Sequence, residues 1–390
     1  MKWEKVAIKD ICTGIYDGPH ATPPLSDTGA IFLGISNFNN GRLDFSDIRY
    51  ISEDDLPKWT KRVIPQKNDI VFSYEATLNL YAIIPEGFRG CLGRRMALLR
   101  VDETKADYKF LYYYFYSDAW RATVNENIVL GATVDRIPLI KFPDFPVELP
   151  PLETQHRIAD ILSAYDDLIE NNQKQIKLLE EAAQRLYKEW FVDLRFPGHE
   201  NMEIVDGVPE GWKKERLVDI AEIQYGYAFD GTLFNADKNG TPIIRIRNIP
   251  QAETMDYTTE HVSENYLVQN GEIIVGMDGE FHINAWAGNT AYLVQRVCCI
   301  RPKNTEIKGW LLQAIYEPIK FFERTVVCAT VAHLGKKHLD SIYLLTSPEE
   351  FYEPFKTFFD KRLLLMNQNR KLREARDRLL PKLMSGEVEV

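Results

Sequence analysis

The strongest constraint on the fold is an uninterrupted heptad pattern between residues 150 and 191. After Pro151 this stretch contains neither Gly nor Pro, and its seam residues follow one another in alternating steps of four and three. That spacing predicts an α-helix that winds against a second helix in a left-handed coiled coil. About 40 residues in such a helix would span roughly 60 Å. The seam residues are Ile158, Leu162, Tyr165, Ile169, Asn172, Ile176, Leu179, Ala183, Leu186 and Trp190.

An internal repeat supplies a partner for this helix. Residues 29–37 (GAIFLGISN) are echoed by residues 240–248 (GTPIIRIRN), residues 67–71 (KNDIV) by 270–274 (NGEII), and residues 131–134 (GATV) by 328–331 (CATV). A second helical stretch follows the second copy, and its apolar stripe includes Leu365, Leu372 and Leu379. The order along the chain is therefore domain, long helix, linker, domain, long helix.

We predict an α+β protein in which two similar mixed α/β domains are separated by two long helices that form an antiparallel coiled coil. The first domain comprises residues 1–149, with strands at 30–35, 70–72, 80–84 and 96–101 and a helix at 108–124. Residues 150–196 form the first spacer helix, and Pro and Gly make residues 197–211 a linker. The second domain comprises residues 212–346, and residues 347–390 form the second spacer helix.

Composition limits how this chain can bind a ligand. Its net charge is −10, so nucleic-acid binding would have to rely on local basic patches or on a partner protein. The five cysteines are scattered without a CxxC pair, which favours a reducing cytoplasm and argues against a disulfide framework or a zinc cluster. We expect neither a membrane segment nor export, because no apolar run is long enough and the first residues lack an apolar signal core.

Two similar but diverged domains on a rigid spacer suit a ligand that has two similar sites at a fixed separation. Duplex DNA is such a ligand, because the half-site spacing of a DNA target is a geometric property of the protein that reads it. A coiled-coil scaffold for two protein partners, with no role on DNA, would have the same layout. The repeat alone leaves both functions open.

Several motifs resemble those of the specificity subunit of type I restriction–modification systems. The resemblance covers nearly the whole chain, and its most specific parts open and close the first long helix. The matching motifs are residues 17–23 (DGPHATP), 149–158 (LPPLETQHRI), 170–172 (ENN), 186–193 (LYKEWFVD), 226–229 (GYAF), 242–249 (PIIRIRNI) and 295–297 (QRV).

The resemblance implies that each domain is a target recognition domain that reads one half of an asymmetric, bipartite site in double-stranded DNA. The helices would set the spacing and dock two methyltransferase subunits, through which restriction subunits join the complex. The chain itself would not be an enzyme, and S-adenosylmethionine, ATP and Mg²⁺ would belong to the partner subunits. The nearest alternative is the specificity subunit of a related system whose methylase and nuclease share one chain.

The sequence also lacks catalytic motifs of its own. It contains no Asn-Pro-Pro-aromatic or Asp-Pro-Pro-aromatic tetrapeptide for holding a flipped base and no GxxxxGK[ST] phosphate loop. We predict no metal site, because no carboxylate or cysteine stands at ligand spacing from His282, His333 or His338.

DNA contacts are expected from polar and basic side chains on loops, since these groups bind phosphates and base edges. The alternative for each is an ordinary solvated loop residue, but Arg94 and Arg95 after Gly93 give a local positive spot. In the first domain the candidates are His20, Thr22, Ser36, Asn37, Tyr74, Glu75, Asn79, Arg94, Arg95, Thr133 and Arg136. In the second domain they are Arg245, Arg247, Asn248, Asp278, Glu280, His282, Asn284, His333, Lys336, Lys337 and His338.

Some candidates carry an alternative of their own. Arg245 and Arg247 alternate in an apolar run, which predicts that both point to one face of a strand, unless they form structural ion pairs. Asn172 would fix the helix register, unless the helices splay and expose it. Tyr165, Trp190 and Phe191 either fill the helix core or dock partner subunits. The residues assigned to the seam or to docking are Ile158, Leu162, Tyr165, Asn172, Ile176, Leu179, Trp190, Phe191, Leu365, Leu372 and Leu379.

Overall fold

The computed structural model describes residues 3–130, 134–325 and 332–390. The chain forms two compact units, of which the first is Met1–Asp167 with Arg373–Val390 and the second is Leu168–Leu372. Candidate Thr133 and most of the echo between residues 131–134 and 328–331 lie outside the described residues. No helix in the described part of the chain is both long and apolar enough to cross a membrane.

The first unit is a mixed domain with a four-stranded antiparallel sheet at its centre. Its strands are β1 (Glu4–Ala7), β2 (Cys12–Asp17), β3 (Ala30–Leu33), β4 (Phe38–Asn39), β5 (Arg42–Leu43), β6 (Arg49–Ile51), β7 (Ile70–Ser73), β8 (Tyr81–Ile83), β9 (Gly90–Leu92), β10 (Met96–Val101) and β11 (Pro146–Leu149). Its short helices are α1 (Leu56–Trp59), α2 (Tyr108–Tyr114) and α3 (Asp118–Asn127). The central sheet has the order β2-β10-β7-β8, a second sheet has the order β6-β3-β9, and β1 pairs with β11 and β4 with β5.

Strand β7 is apolar almost without interruption because both faces of the central sheet are covered. Ile70 and Phe72 belong to the core that contains Phe110 and Trp120 of the helices, whereas Val71 belongs to a separate core on the other face. Successive strand residues point to opposite faces, so a strand covered on both sides has no polar alternation. The four strands predicted in this domain are all present, with ends within two residues of the prediction.

The predicted single helix at residues 108–124 is wrong, because the chain forms α2 and α3 there with a turn between them. The Ser117 side chain accepts a hydrogen bond from the Trp120 backbone N–H at 3.2 Å and so begins a new helix. Asp107 caps α2 in the same way, accepting from the Phe110 N–H at 2.7 Å. Serine and aspartate are preferred at this position because they satisfy N–H groups that lack a partner within the helix.

The second unit repeats this architecture. Its strands are β12 (Ile204–Val205), β13 (Val208–Pro209), β14 (Lys213–Arg216), β15 (Ala221–Tyr225), β16 (Phe234–Asn235), β17 (Thr241–Ile244), β18 (Tyr257–Thr258), β19 (Leu267–Val268), β20 (Ile273–Gly276), β21 (Ile283–Ala285), β22 (Ala291–Leu293), β23 (Val297–Pro302) and β24 (Tyr343–Thr346). The two long helices are α4 (Leu152–Tyr187) and α9 (Glu353–Met384). Between them in sequence, the second unit has the short helices α5 (Leu217–Ile220), α6 (Lys308–Ala314), α7 (Tyr316–Thr325) and α8 (Lys336–Asp340).

The repeat extends to strand order and direction. The β15-β23-β20-β21 sheet corresponds to β2-β10-β7-β8, the parallel pair β17–β22 to β3–β9, and the pair β14–β24 to β1–β11. The predicted α+β class and internal repeat are therefore confirmed. Within the predicted linker, β12 and β13 form a short hairpin.

The two long helices run antiparallel in each unit. In the second unit Glu180 bonds Arg362 and the ring of Tyr187 meets that of Phe355, so residue numbers rise along one helix as they fall along the other. In the first unit Asp166 bonds Arg376 in the same sense. Helix α4 ends in a wider π-helical turn, Lys188–Val192, which carries the aromatic end of the predicted seam.

The seam residues are buried or half-buried throughout α4. Ile158 and Leu162 belong to the core of the first unit, and Leu379 packs against that core from α9. Tyr165, Ile176, Leu179 and Leu372 are half-buried, and Leu365 is buried. Phe191 lies in the second unit's core against Trp212 and Trp310, and Trp190 meets the rings of Phe351 and Phe355 edge-on. These two aromatic side chains therefore fill the core of the second unit.

Candidate nucleic-acid interface

Three strands of the first unit's central sheet come together at one edge. Asp17 ends β2 opposite Ala97, and Ser73 ends β7 opposite Met96, the first residue of β10. Gly18 follows at once, and its N–H donates to the Met96 carbonyl at 2.8 Å. A Cβ at this position would stand 2.6 Å from that oxygen, so the DGPH motif needs its glycine to let the loop cross the sheet edge.

An acidic residue at this edge pairs with two arginines, with one through its side chain and with the other through its backbone. The Glu75 carboxylate forms an ion pair with Arg95, its Oε1 lying 3.1 Å from Nε, and the backbone of Glu75 forms an isolated antiparallel bridge with that of Arg136. The loop ends are fixed by backbone bonds from the Ile137 N–H to the Tyr74 carbonyl at 2.8 Å and from the Ala76 N–H to the Asp135 carbonyl at 3.1 Å. We call Glu75, Arg95 and Arg136 the first clamp.

The second unit has the same arrangement with different side chains. Asp278 bonds Arg296 Nη1 and His333 Nδ1, each at 2.5 Å, and forms an isolated antiparallel bridge with His333. The backbone bonds also correspond, since the Leu334 N–H donates to the Met277 carbonyl at 2.7 Å and the Gly279 N–H to the Ala332 carbonyl at 3.1 Å. We call Asp278, Arg296 and His333 the second clamp.

The arginine of each clamp has a rare backbone conformation. Arg95 and Arg296 both have φ of 70°, immediately before β10 and β23. Left-handed backbone at a non-glycine residue costs free energy, and such residues concentrate at functional sites. In both units the arginine carbonyl accepts a bond from the residue before the clamp acid, Tyr74 at 3.1 Å and Met277 at 2.8 Å. The repeat thus preserves a strained arginine held by a carboxylate, while the third member changes from arginine to histidine.

A basic cleft adjoins the first clamp. It has a volume of about 400 Å³ and is lined by the DGPH loop together with Lys58, Trp59, Lys61 and Arg62. Arg62 Nη1 donates to the Gly18 carbonyl at 2.7 Å, and His20 Nε2 lies 2.9 Å from the Asp17 carboxylate. Lysine and arginine therefore outnumber acidic groups here, in a chain whose total charge is negative. The candidates chosen from the sequence miss this cleft apart from His20, although the run KWTKR at residues 58–62, which is basic with an aromatic residue inside it, could have indicated it.

Burial keeps the hydroxyl of Tyr74 neutral at this edge. Removal from water raises the pKa of Tyr74, and the nearby carboxylates of Asp17 and Glu75 raise it further. Tyr74 is almost completely buried, so its side chain supports the edge from within. We therefore assign it a packing role rather than a contact with bases.

Two candidate asparagines form hydrogen bonds within their own loops. Asn37 is buried, its Oδ1 accepts from the Gly34 N–H at 2.8 Å, and its Nδ2 donates to the carbonyls of Asp44 and Asp47. Asn248 occupies the equivalent position, accepting from the Arg245 N–H at 2.8 Å. Because these amides are committed within the fold, the structure assigns both residues to holding the loop after β3 or β17.

This loop also overturns the prediction that Arg245 and Arg247 share a strand. Strand β17 ends at Ile244, and a 3₁₀ turn occupies Ile246–Asn248. Arg247 forms an ion pair with Asp256, and the Arg245 guanidinium lies 5.6 Å from the ring centre of Phe234. Arg247 thus has the ion pair given above as the alternative. Although burial opposes it, hydrogen bonds from Arg247 and Asn248 hold the pKa of Asp256 below its ordinary 3.8.

The remaining candidates divide by exposure. Asn284 is buried and bonds Arg362 of α9, which excludes its side chain from a DNA surface. Asn79 is half-buried, and its Oδ1 accepts from the Tyr81 hydroxyl at 3.3 Å. Half-buried His282 lies near Glu280. The exposed candidates are His20, Thr22, Ser36, Arg94, Arg136, Glu280, His333, Lys336 and Lys337. Within the described ranges, no three His, Cys, Asp or Glu side chains gather as they would round a metal ion.

Comparisons with known proteins identify the family of this chain. A family model described as "Type I restriction modification DNA specificity domain" matches residues 1–181 and 209–349. The specificity subunit of the type I restriction enzyme MjaIX from Methanocaldococcus jannaschii is 25% identical over 366 residues, covering 88% of this chain and 82% of that protein. The specificity subunit of the Escherichia coli type I restriction enzyme EcoBI is 30% identical over 150 residues, covering 38% of this chain and 32% of that protein.

A solved structure shares the fold. The S subunit of a type I restriction–modification system from M. genitalium superposes with a TM-score of 0.58 at 17% identity, covering 98% of this chain and 96% of that one. The two matched segments of the family model contain both clamp acids and the strained arginines, one set in each. The chain therefore belongs to the type I restriction–modification DNA specificity family, as a specificity subunit with two copies of the family's domain.

Proposed function

We propose that the two units of this specificity subunit read the two halves of an asymmetric, bipartite target in double-stranded DNA. The observation that carries the proposal is the pair of clamps, one in each unit, built on the same strand ends with different side chains. A carboxylate that orients a guanidinium suits readout of guanine, which accepts two parallel hydrogen bonds from arginine. Divergence between the clamps is what two different half-sites require.

The basic cleft would contribute affinity rather than sequence discrimination. Lys58, Lys61 and Arg62 line it, and lysine and arginine bind phosphates without reading bases. A chain with a net charge of −10 needs either such a local patch or a partner protein to bind DNA. The first clamp lies on the same sheet edge, so phosphate binding in the cleft would place Arg95 and Arg136 against the DNA.

The rest of the assembly would supply the chemistry. The long helices would set the distance between half-sites and dock two methyltransferase subunits, and restriction subunits would join through them. The chain itself would carry no catalytic site, while S-adenosylmethionine, ATP and Mg²⁺ would bind to the partners. Sequence choice would then belong to this subunit, and methylation or cleavage to the complex.

Removing each clamp arginine tests this division of labour. Glycine is the appropriate replacement, because it keeps φ of 70° while removing the guanidinium. In complexes with the cognate methyltransferase subunit, methylation of a randomised DNA library should become degenerate in one half-site for Arg95→Gly and in the other for Arg296→Gly. Loss of one bidentate contact corresponds to about 10- to 100-fold less discrimination at that position.

Lys238→Gly is the matched control, since Lys238 is basic and has a positive φ like both clamp arginines, is exposed like Arg296, and lies outside both clamps. It should leave the target unchanged. If both arginine variants kept the parental target, the clamps would be structural ion pairs. If the parental complex methylated no bipartite sequence, the proposed function itself would be wrong.

A further inference from the structure

Each unit holds a guanidinium group against an aromatic ring near the loop that follows β3 or β17. In the first unit Cζ of Arg49 lies 5.2 Å from the ring centre of Phe32. In the second unit Cζ of Arg245 lies 5.6 Å from the ring centre of Phe234. Cations are attracted to the faces of aromatic rings at this distance, so the ring restrains the guanidinium in both units.

The two arginines occupy different positions of the internal repeat. Arg49 belongs to β6 and lies opposite Phe32 of β3. At the equivalent position of the second unit Asp256 lies opposite Ile243 of β17, whose N–H donates to the Asp256 carbonyl at 2.9 Å. The guanidinium therefore comes from a neighbouring strand in the first unit and from the loop itself, at Arg245, in the second.

This exchange of residues leaves the local charge unchanged. The counterparts of Arg245 and Arg247 in the first unit are uncharged, namely Gly34 and Ser36. In the second unit Arg247 forms an ion pair with Asp256, which leaves the charge of Arg245 over. Arg49 supplies the same single charge in the first unit. Each set of three equivalent positions thus carries one net positive charge.

In the first unit this guanidinium lies near the turn that carries the clamp arginine. A Cβ on Gly34 would overlap Arg49 Nη2, so the guanidinium covers the loop at that residue. The turn between β9 and β10 packs against the same residue, because a Cβ on Gly93 would stand 3.3 Å from Gly34 Cα. Arg95 of the first clamp follows Gly93 by two residues.

The second unit has the same neighbourhood. The Val294 N–H donates to the carbonyl of Ile244 at 3.2 Å, and Ile244 directly precedes Arg245. Val294 in turn precedes Arg296 of the second clamp by two residues. In both units, therefore, one arginine restrained by a ring and one arginine held by a carboxylate belong to adjoining segments.

The arginines on the rings have donors available for a ligand. Arg49 is exposed and Arg245 is half-buried. Over the described ranges, neither guanidinium has a hydrogen bond or an ion pair. Asp256 attracts Arg245, but its carboxylate accepts its bonds from Arg247 and Asn248. Free guanidinium donors in a fixed plane match the oxygens of a phosphate.

We propose that Arg49 and Arg245, which we call the phosphate anchors, each bind a DNA phosphate whatever the sequence of the half-site. This inference rests on the proposed function and divides its DNA contacts between two kinds of arginine. The two half-sites differ in their bases but share the same phosphodiester backbone. A positive charge that both units keep through different residues suits that shared backbone, because phosphate contacts carry no sequence information.

Glutamine and lysine substitutions at the phosphate anchors test this assignment. Arg49→Gln and Arg245→Gln should each reduce the slope of log affinity against log salt by about 1. The slope is measured by fluorescence anisotropy on the complex with the cognate methyltransferase subunit. One duplex carries the parental target and a second has both half-sites scrambled, and the reduction should be equal on both. Arg49→Lys and Arg245→Lys keep the charge and should keep the slope.

Arg89→Gln is the control, because it removes the same charge from an exposed arginine that Glu53 already neutralises, at the other end of β9. It should leave the slope unchanged. If the glutamine variants lost discrimination at one base pair but kept the parental slope on the scrambled duplex, the arginines would read bases and the phosphate assignment would be wrong. An unchanged slope with an unchanged target would make both arginines structural only.

A lysine variant that lost as much slope as its glutamine counterpart would contradict a contact that depends on charge. Failure of the proposed function is a separate result. In that case the parental complex would methylate no bipartite sequence, while slopes on the scrambled duplex would still report whether the phosphate anchors bind DNA.

Discussion

The amide pair between Asn172 and Asn369 provides a direct test of how α4 and α9 are matched. Both residues are 3% exposed, and Asn172 Nδ2 donates to Asn369 Oδ1 at 2.9 Å. Asn369 Nδ2 also donates to the Ile169 carbonyl at 3.3 Å. This pairing decides the question that the sequence left open for Asn172, since the amide is buried against the other helix rather than exposed. A polar pair at a seam position favours one register over its neighbours.

Replacing one member should cost more than replacing both. Asn172→Leu leaves Asn369 Oδ1 buried without its donor, which costs about 1–3 kcal/mol of unfolding free energy. Asn369 keeps its longer bond to the Ile169 carbonyl, so we expect a value in the lower part, about 1–2 kcal/mol. The double variant Asn172→Leu with Asn369→Leu removes both polar groups and should return to within about 1 kcal/mol of the parent or exceed it.

A double-mutant cycle measures this coupling. Urea unfolding followed by helical circular dichroism on the full chain gives the free energy of the transition that includes the second unit. Asn171→Leu, at the exposed neighbouring position, is the control and should change it by less than about 0.5 kcal/mol. Additive effects of the two single substitutions would refute the reasoning, because independent amides would then not link the helices.

Two further predictions concern charge. The double variant Lys58→Gln with Lys61→Gln should reduce the slope of log affinity for DNA against log salt by about 2. The control Lys67→Gln, before the opposite end of β7, should leave this slope unchanged. An unaltered slope in the double variant would mean that DNA phosphates bind outside the basic cleft. Because the pKa of Asp256 is depressed in the folded state, the stability that this carboxylate contributes is complete above its ordinary pKa near 3.8 and is lost as the pH falls through the lower folded value. Asp256→Asn should therefore flatten the acid limb of the stability curve, measured by urea unfolding down to about pH 2.5. An unchanged acid limb would contradict the role of the bonds from Arg247 and Asn248.

Local patterns predicted the elements but not always their ends. The apolar runs of β7 and β10 and the heptads of α4 each form the expected element. The ends depend on single side-chain bonds, such as Ser117 to the Trp120 N–H and Asn248 to the Arg245 N–H. Hydrophobic periodicity does not reveal such bonds, so the predicted helix at 108–124 and the predicted strand through Arg247 are both longer than the observed elements.

The missed site residues have a different origin. Arg296 belongs to a motif that marks the family resemblance, but its place in the second clamp appears only when Gln295-Arg296-Val297 is aligned with Arg94-Arg95-Met96 and both arginines prove to have positive φ. The contacts of Arg362, although they belong to the helix pairing rather than to a site, were also not predicted, because the stripe of α9 was traced through apolar residues alone. Its partners Glu180 and Asn284 are remote in sequence, and no pattern within α9 indicates them.

The charged pairs along the seam also select which helices pair. In the first unit Arg376 of α9 bonds Asp166 of α4, an acid that also accepts from the Tyr113 hydroxyl at 2.6 Å. In the second unit Arg362 of α9 bonds Glu180 of α4. Both acids lie on α4 and both arginines on α9, and Asp166 is buried whereas Glu180 is partly exposed, so α4 packed against α4 of a second copy would leave the buried Asp166 carboxylate without its arginine. Breaking a buried pair in this way costs a few kcal/mol. Apolar seams alone would allow that exchange, whereas this distribution of charge favours α4 packed against α9 over α4 packed against α4.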